Sequence, residues 1–205
     1  MPSKPVFTRI LIAAGALTAT VLGGAAIQAS AQTPAPPASS GWLVDTARTG
    51  DTRAAEVFIA RGADVNTGRD RDGTPLIVAA RNGDLTMARF LIGQGAEVDR
   101  PMKGDGNPLI AASANGRVEM ADYLIALGAN VNAVVPDDET PLINAAREGH
   151  LDVVRRLVAA GADVNLAVPV TLNSGATEIR SPLSQARRNR HTAVVAYLIN
   201  QGARS

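Results

Sequence analysis

From residue 42 onward the apolar positions fall into pairs of short blocks, each spaced as one face of a helix and separated by glycines. The clearest pair lies in residues 138–167, DETPLINAAREGHLDVVRRLVAAGADVNLA. In its first block Leu142, Ala145 and Ala146 make a narrow apolar face. Thr140 precedes it as an N-cap whose hydroxyl accepts from a first-turn amide, and Pro141 takes the first helical position, where no N–H is needed. Gly149 tolerates the left-handed conformation that closes the helix. In the second block Val153, Val154, Leu157 and Val158 define another helix, closed by Gly161. Neither helix is long enough to stand alone in water, so the pair predicts a unit that is stable only when stacked.

The same pattern recurs in a fixed register. The leucine that opens each first helix falls at Leu43, Leu76, Leu109, Leu142 and Leu183, and the Gly-Ala pair after each second helix starts at Gly62, Gly95, Gly128, Gly161 and Gly202. Both rulers give spacings of 33, 33, 33 and 41 residues, which predicts an array of five repeats. Four residues before each Gly-Ala stand Phe58, Leu91, Leu124, Leu157 and Leu198, followed by Ile59, Ile92, Ile125, Val158 and Ile199. These columns predict two apolar ladders, and Phe90, Tyr123 and Tyr197, one position earlier, read as half-buried packing.

The 33-residue period, with Thr74-Pro75-Leu76, Thr140-Pro141-Leu142 and Ser181-Pro182-Leu183 opening repeats and Gly62-Ala63-Asp64-Val65-Asn66 and Gly161-Ala162-Asp163-Val164-Asn165 closing them, resembles the ankyrin repeat. The resemblance implies an all-α solenoid of about five helix-turn-helix repeats with β-turn or hairpin fingers, over residues 42–205. The repeats fall near 42–70, 71–103, 104–136, 137–169 and 178–205. The two ends depart from the pattern: Thr46 replaces an alanine in the first repeat, and Arg187 and Arg190 replace an alanine and the turn glycine in the last, as terminal repeats with one neighbour require. Arg190 is therefore expected in a strained left-handed conformation. Eight extra residues fall within 166–180, so the last finger is expected to be longer than the others, either as a site of function or as a tolerated insertion.

Before the repeats, Lys4 and Arg9, an uncharged apolar run over residues 10–27 and Ala29-Ser30-Ala31 have the pattern of a secretory signal peptide, residues 1–31, cleaved after Ala31; the competing reading of the same run is an uncleaved membrane anchor. Residues 32–41, rich in Pro, Ala and Ser, read as a linker. Export to the periplasm or beyond the cell is the expected location, with no membrane attachment after cleavage and a monomeric product. Removing the leader takes the net charge from +1 to −1, because Lys4 and Arg9 are its only charged side chains. A near-neutral chain lacks the concentrated basic surface that nucleic-acid binding demands. With no cysteine there is no disulfide and no thiolate metal site or nucleophile.

Catalytic and cofactor patterns are not found. His150 and His191 sit at equivalent turns of repeats four and five, and the chain contains no H-E-x-x-H, no phosphate-binding glycine loop and no G-x-S-x-G. Asp70-Arg71-Asp72-Gly73 and Asp137-Asp138-Glu139 read as solvated turns. No enzyme activity and no cofactor are expected. The expectation is instead a protein partner. The resemblance implies that the residues after each first-helix Ala-Ala face a concave groove; these are Arg48, Arg81, Ala114, Arg147 and Arg188, with Glu148 beside Arg147 and fingertip acids Asp70, Asp105 and Asp137 alongside. An arginine row suits a partner with acidic side chains; the competing reading is that the arginines pair with nearby acids of the same surface.

The wording of the later repeats, GDGNPLIAAS from Gly104, VVPDDETPLINAAREGHLDVVRRL from Val134 and RSPLSQARRNRHTAVVAYL from Arg180, is similar to the ankyrin tails of bacterial membrane zinc metallopeptidases of the beta-lactam-sensor type. That similarity implies a bacterial, envelope-facing docking role without peptidase activity. Two other roles compete with it: a secreted effector that binds a host protein, and a regulatory or accessory subunit of an envelope enzyme or sensor.

Overall fold

A computed structural model describes residues 40–205 apart from 137, 138, 173 and 205. The expected leader and nearly all of the linker lie outside the described residues, as does Asp137. Within them, ten helices form five pairs: α1 (Ser40–Thr49) with α2 (Thr52–Ala60), α3 (Pro75–Asn82) with α4 (Leu85–Gly93), α5 (Pro108–Ala114) with α6 (Val118–Ala126), α7 (Pro141–Glu148) with α8 (Leu151–Ala159) and, after the strands β1 (Val168–Thr171) and β2 (Thr177–Arg180), α9 (Pro182–Arg188) with α10 (Thr192–Asn200). The first helix therefore starts at Ser40, inside the segment expected to be linker. The first helices pack on one another in sequence order, α1 on α3, α3 on α5, α5 on α7 and α7 on α9, as a five-repeat all-α solenoid requires. No described helix is long and apolar enough to cross a membrane.

The boundaries of the inner first helices have visible causes. The N–H of Ile143 donates to Thr140 Oγ1 at 3.1 Å, that of Ile77 to Thr74 Oγ1 at 3.2 Å and that of Ile110 to Asn107 Oδ1 at 2.8 Å. Gly83 and Gly149 close α3 and α7 in the left-handed region. The first helices are not narrowly amphipathic, as the sequence suggested. Pro141 through Ala146 are all buried, Asn144 included, because α7 is covered by both neighbouring first helices and by its own partner α8. The two ladders also differ from expectation. Leu91, Leu124, Leu157 and Leu198 are fully buried, whereas Ile59, Ile92, Ile125 and Val158 are half-buried and Ile199 is exposed. Second helices pack on their own first helices and against neighbouring second helices but carry no further layer outside, so their second apolar column lies at the solvent edge. Phe90, Tyr123 and Tyr197 are half-buried, with Arg89 over Tyr123 and Arg155 over Tyr197.

Polar ladders fix the repeat spacing. The Nε2 nitrogens of His150 and His191 hydrogen-bond the carbonyls of Ala114 and Arg147 in the preceding repeat, at 3.2 and 2.8 Å. Arg117 Nε does the same to the Arg81 carbonyl at 3.0 Å. On the opposite side of each repeat runs a second ladder. Asn132 Nδ2 donates to the Gly161 carbonyl at 3.2 Å and its Oδ1 accepts the Asp163 N–H at 2.8 Å, and Asn66 and Asn165 each make the same pair with the next repeat. The equivalent in repeat two is Asp99, whose carboxylate accepts the Asn130 N–H at 3.0 Å. A carboxylate cannot donate, so the Gly128 carbonyl, which occupies the place of Gly95 and Gly161, gains nothing from it. Asp99→Asn is expected to raise stability by about 1 kcal/mol, the worth of one added hydrogen bond. A shift of the urea midpoint to higher concentration, with unchanged slope, checks this.

The fingers share one base geometry. Arg69 bridges Gly73, Met102 bridges Gly106 and Val135 bridges Glu139 in antiparallel fashion. In the fifth repeat the same base, Val168 opposite Arg180, continues outward through Pro169–Ile179, Val170–Glu178 and Thr171–Thr177. The eight extra residues thus extend a turn into a β-hairpin. Arg190 takes φ +63, the left-handed conformation expected of it, and two further non-glycine residues, Arg71 and Glu139, share it at +68 and +64.

Candidate functional site

The last turns of the first helices and the bases of the fingers form one continuous strip. Each predicted arginine lies on it, and each is ion-paired. Arg48 pairs with Asp72 on the next finger, and Arg69 on that finger grips Asp45 of α1 with two bonds, 2.7 and 3.2 Å, and Asp72 with one of 2.6 Å. The Arg69 hydrogen bonds hold the carboxyls of Asp45 and Asp72 below the ordinary aspartate range, and Arg69 itself is pushed up by the two acids. Arg81 reaches Asp105 at 3.1 Å, by the same 24-residue offset that links Arg48 to Asp72. Asp105 keeps only 5% of its side-chain exposure, and its Oδ2 is buried without a hydrogen-bond partner.

The offset breaks at Ala114, which has no arginine, and again at Arg147. Arg147 turns back to its own finger: Nη1 meets Glu139 Oε2 at 3.1 Å, Nη2 bonds Asn144 Oδ1, and Nε bonds Glu148 Oε1 at 3.2 Å. Glu139 is buried, which corrects the reading of Asp137-Asp138-Glu139 as a wholly solvated turn. The correction has a physical basis: Glu139 occupies the finger-base position of Gly73 and Gly106, from which a side chain can only point inward. Its other oxygen accepts from Arg180 Nη1 at 2.6 Å. Arg180 Nε donates to Glu178 at 2.9 Å, and Glu178 accepts from Arg188 at 2.9 Å. The Arg180 hydrogen bond, and Arg188 beyond it, lower the Glu178 carboxyl, while Glu139 raises Arg180.

The site is therefore a strip of alternating charge, not a purely basic row. Of its predicted members, Arg48 and Arg188 keep 50% and 60% of their side-chain exposure, Arg81 and Arg147 are more deeply engaged, Glu148 is exposed beside Arg147, and Asp70 stands exposed at a fingertip outside the network. Sequence reasoning missed Asp45, Arg69, Glu139, Glu178 and Arg180 as partners. The signal for the first pairs was present, since Asp72 and Asp105 follow Arg48 and Arg81 at one offset. The strip thus holds arginines and carboxylates in charge-assisted pairs, with guanidinium nitrogens still exposed at Arg48 and Arg188. Among the described residues no three His, Asp or Glu side chains are placed to hold a metal ion.

A family model described as ankyrin repeats (3 copies) matches residues 43–135, 103–168 and 133–205. No curated protein matches the sequence.

Proposed function

The chain belongs to the ankyrin-repeat family, a family of protein-interaction modules, and from that premise we propose that it is an exported, non-catalytic docking protein that binds a protein partner along the strip between its first helices and fingers. One observation carries the reading. Five arginine-to-carboxylate pairs, Arg48–Asp72, Arg69–Asp45, Arg81–Asp105, Arg147–Glu139 and Arg188–Glu178, order a row of side chains that would otherwise be mobile. Preordered arginines lose less freedom on binding, and arginine forks suit carboxylates. The partner is expected to present acidic side chains to the exposed ends of Arg48 and Arg188, with donors to the resident carboxylates between them.

The leader pattern of residues 1–31 supports export, and mature protein beginning at Gln32 is the expected product of cleavage. The similarity of the later repeats to the tails of beta-lactam-sensor-type membrane metallopeptidases supports a place in the cell envelope.

The test is affinity capture from envelope extract with mass spectrometry, comparing the wild type with an Arg48→Glu, Arg188→Glu variant whose fold is checked by circular dichroism. A partner retained by the wild type and lost by the folded variant is expected. A partner held equally by both would place the binding surface elsewhere.

A further inference from the structure

We propose that Glu139 is a latch that fixes the long β1–β2 finger in one orientation against the solenoid, and so sets the geometry of the strip's C-terminal half. The residue is anomalous in three respects. It holds a left-handed φ of +64 where the equivalent Gly73 and Gly106 adopt that conformation without penalty. A Cβ added at Gly73 or Gly106 would lie 2.6 or 2.7 Å from Cγ2 of the isoleucine four residues on, and Glu139 carries a Cβ at that same finger position, four residues before the buried Ile143. Its carboxylate is buried, yet it lies on a finger. What offsets these costs is the pair of arginines, Arg147 on its own repeat and Arg180 on the next finger.

The placement is specific. Val135–Glu139 and Val168–Arg180 are the bases of consecutive fingers, so the Glu139–Arg180 pair joins base to base. Fingers two and three carry glycine at this position and cannot make such a link. The link occurs where the finger grows into a hairpin. A two-stranded hairpin is marginal alone in water, and this one has little apolar anchorage: Val168 is buried at its base, but Ile179 is 63% exposed. The polar face of β2 supplies the rest. Glu178 and Arg180 both turn toward the solenoid, and Glu178 reaches Arg188 of α9. An alternating chain, Asn144–Arg147–Glu139–Arg180–Glu178–Arg188, thereby ties α7, two fingers and α9 together. The same chain commits Arg147 and leaves Arg188 as the exposed arginine of this half, so freeing the latch alters which guanidinium a partner meets.

Hydrogen exchange on the full chain tests the latch without any partner, so its failure is separable from failure of the docking reading. Glu139→Gly restores the residue type found at the bases of fingers two and three. The expected result is an increase on the order of tenfold or more in exchange of the hairpin amides, including Leu172 and Gly175, whose N–H groups bond across the tip, while amides of α3 to α6 keep their protection. Arg180→Met, which spares the left-handed residue, is expected to loosen the same hairpin. Unchanged hairpin exchange in both variants overturns the proposal. So does a parallel rise across all five repeats, which would make Glu139 an element of general stability with no positional role.

Discussion

Leu124→Ala is expected to lower the unfolding free energy by about 2–5 kcal/mol, the range for truncating a fully buried leucine. Leu124 is completely buried in α6, in a column that continues through Leu91 and Leu157. It belongs to the central repeat, which alone connects repeats one and two to repeats four and five. In a linear array stability is the sum of repeat and nearest-neighbour terms, so a cavity here weakens coupling between the halves as well as the repeat itself. The expected urea curve therefore has a lower midpoint and a shallower slope than the wild type. Ile199→Ala removes the same kind of side chain from an exposed position on α10 and is expected to cost under about 1 kcal/mol. Equal losses from the two substitutions would mean that the helices are not stacked in this register.

Gly149→Ala is expected to cost about 2–5 kcal/mol, and two causes can be separated. The first is the backbone: Gly149 holds φ +81, where a Cβ costs about 1–2 kcal/mol. The second is the next repeat: an added Cβ would collide with Nδ1 of His191, whose ring is held by the hydrogen bond to the Arg147 carbonyl. Displacing that ring costs about a further 1–3 kcal/mol by overpacking and loosens the fourth repeat's contact with the fifth. Gly161 isolates the first cause. It has φ +92 but nothing within 4 Å of its added Cβ, so Gly161→Ala is expected to carry the backbone cost of about 1–2 kcal/mol alone. Denaturant midpoints of the two variants provide the check. If they coincide, the histidine is not rigidly packed against the turn.

These two turn glycines look alike in the sequence, and their difference shows how far the sequence carries. Helix order, the five-repeat register, the Thr140 cap, the buried leucine column and the left-handed Arg190 were all legible from residues alone. Each depends on local chemistry or on a period: a hydroxyl at an N-cap, a proline at the first helical position, a leucine every 33 residues. The strip was legible only in part. Its arginines were visible as a column on the helices, and the acids at 72 and 105 as a column on the fingers, but the bonds between them join residues 24 apart on different elements.

What the tertiary structure alone decided is the state of charge on that strip. From sequence, Glu139 was the third acid of a turn and Arg180 the end of an insertion. Stacking brings the bases of consecutive fingers together, so a residue that replaces glycine on one meets a cation on the next, 41 positions away, at 2.6 Å. It also decided that Arg147 turns back to its own finger while Arg48 and Arg81 reach forward. Periodicity fixes which residues face a neighbour because burial follows the helix spacing. It does not fix which charges pair, because long side chains choose among several acids by distances that exist only once the repeats are stacked.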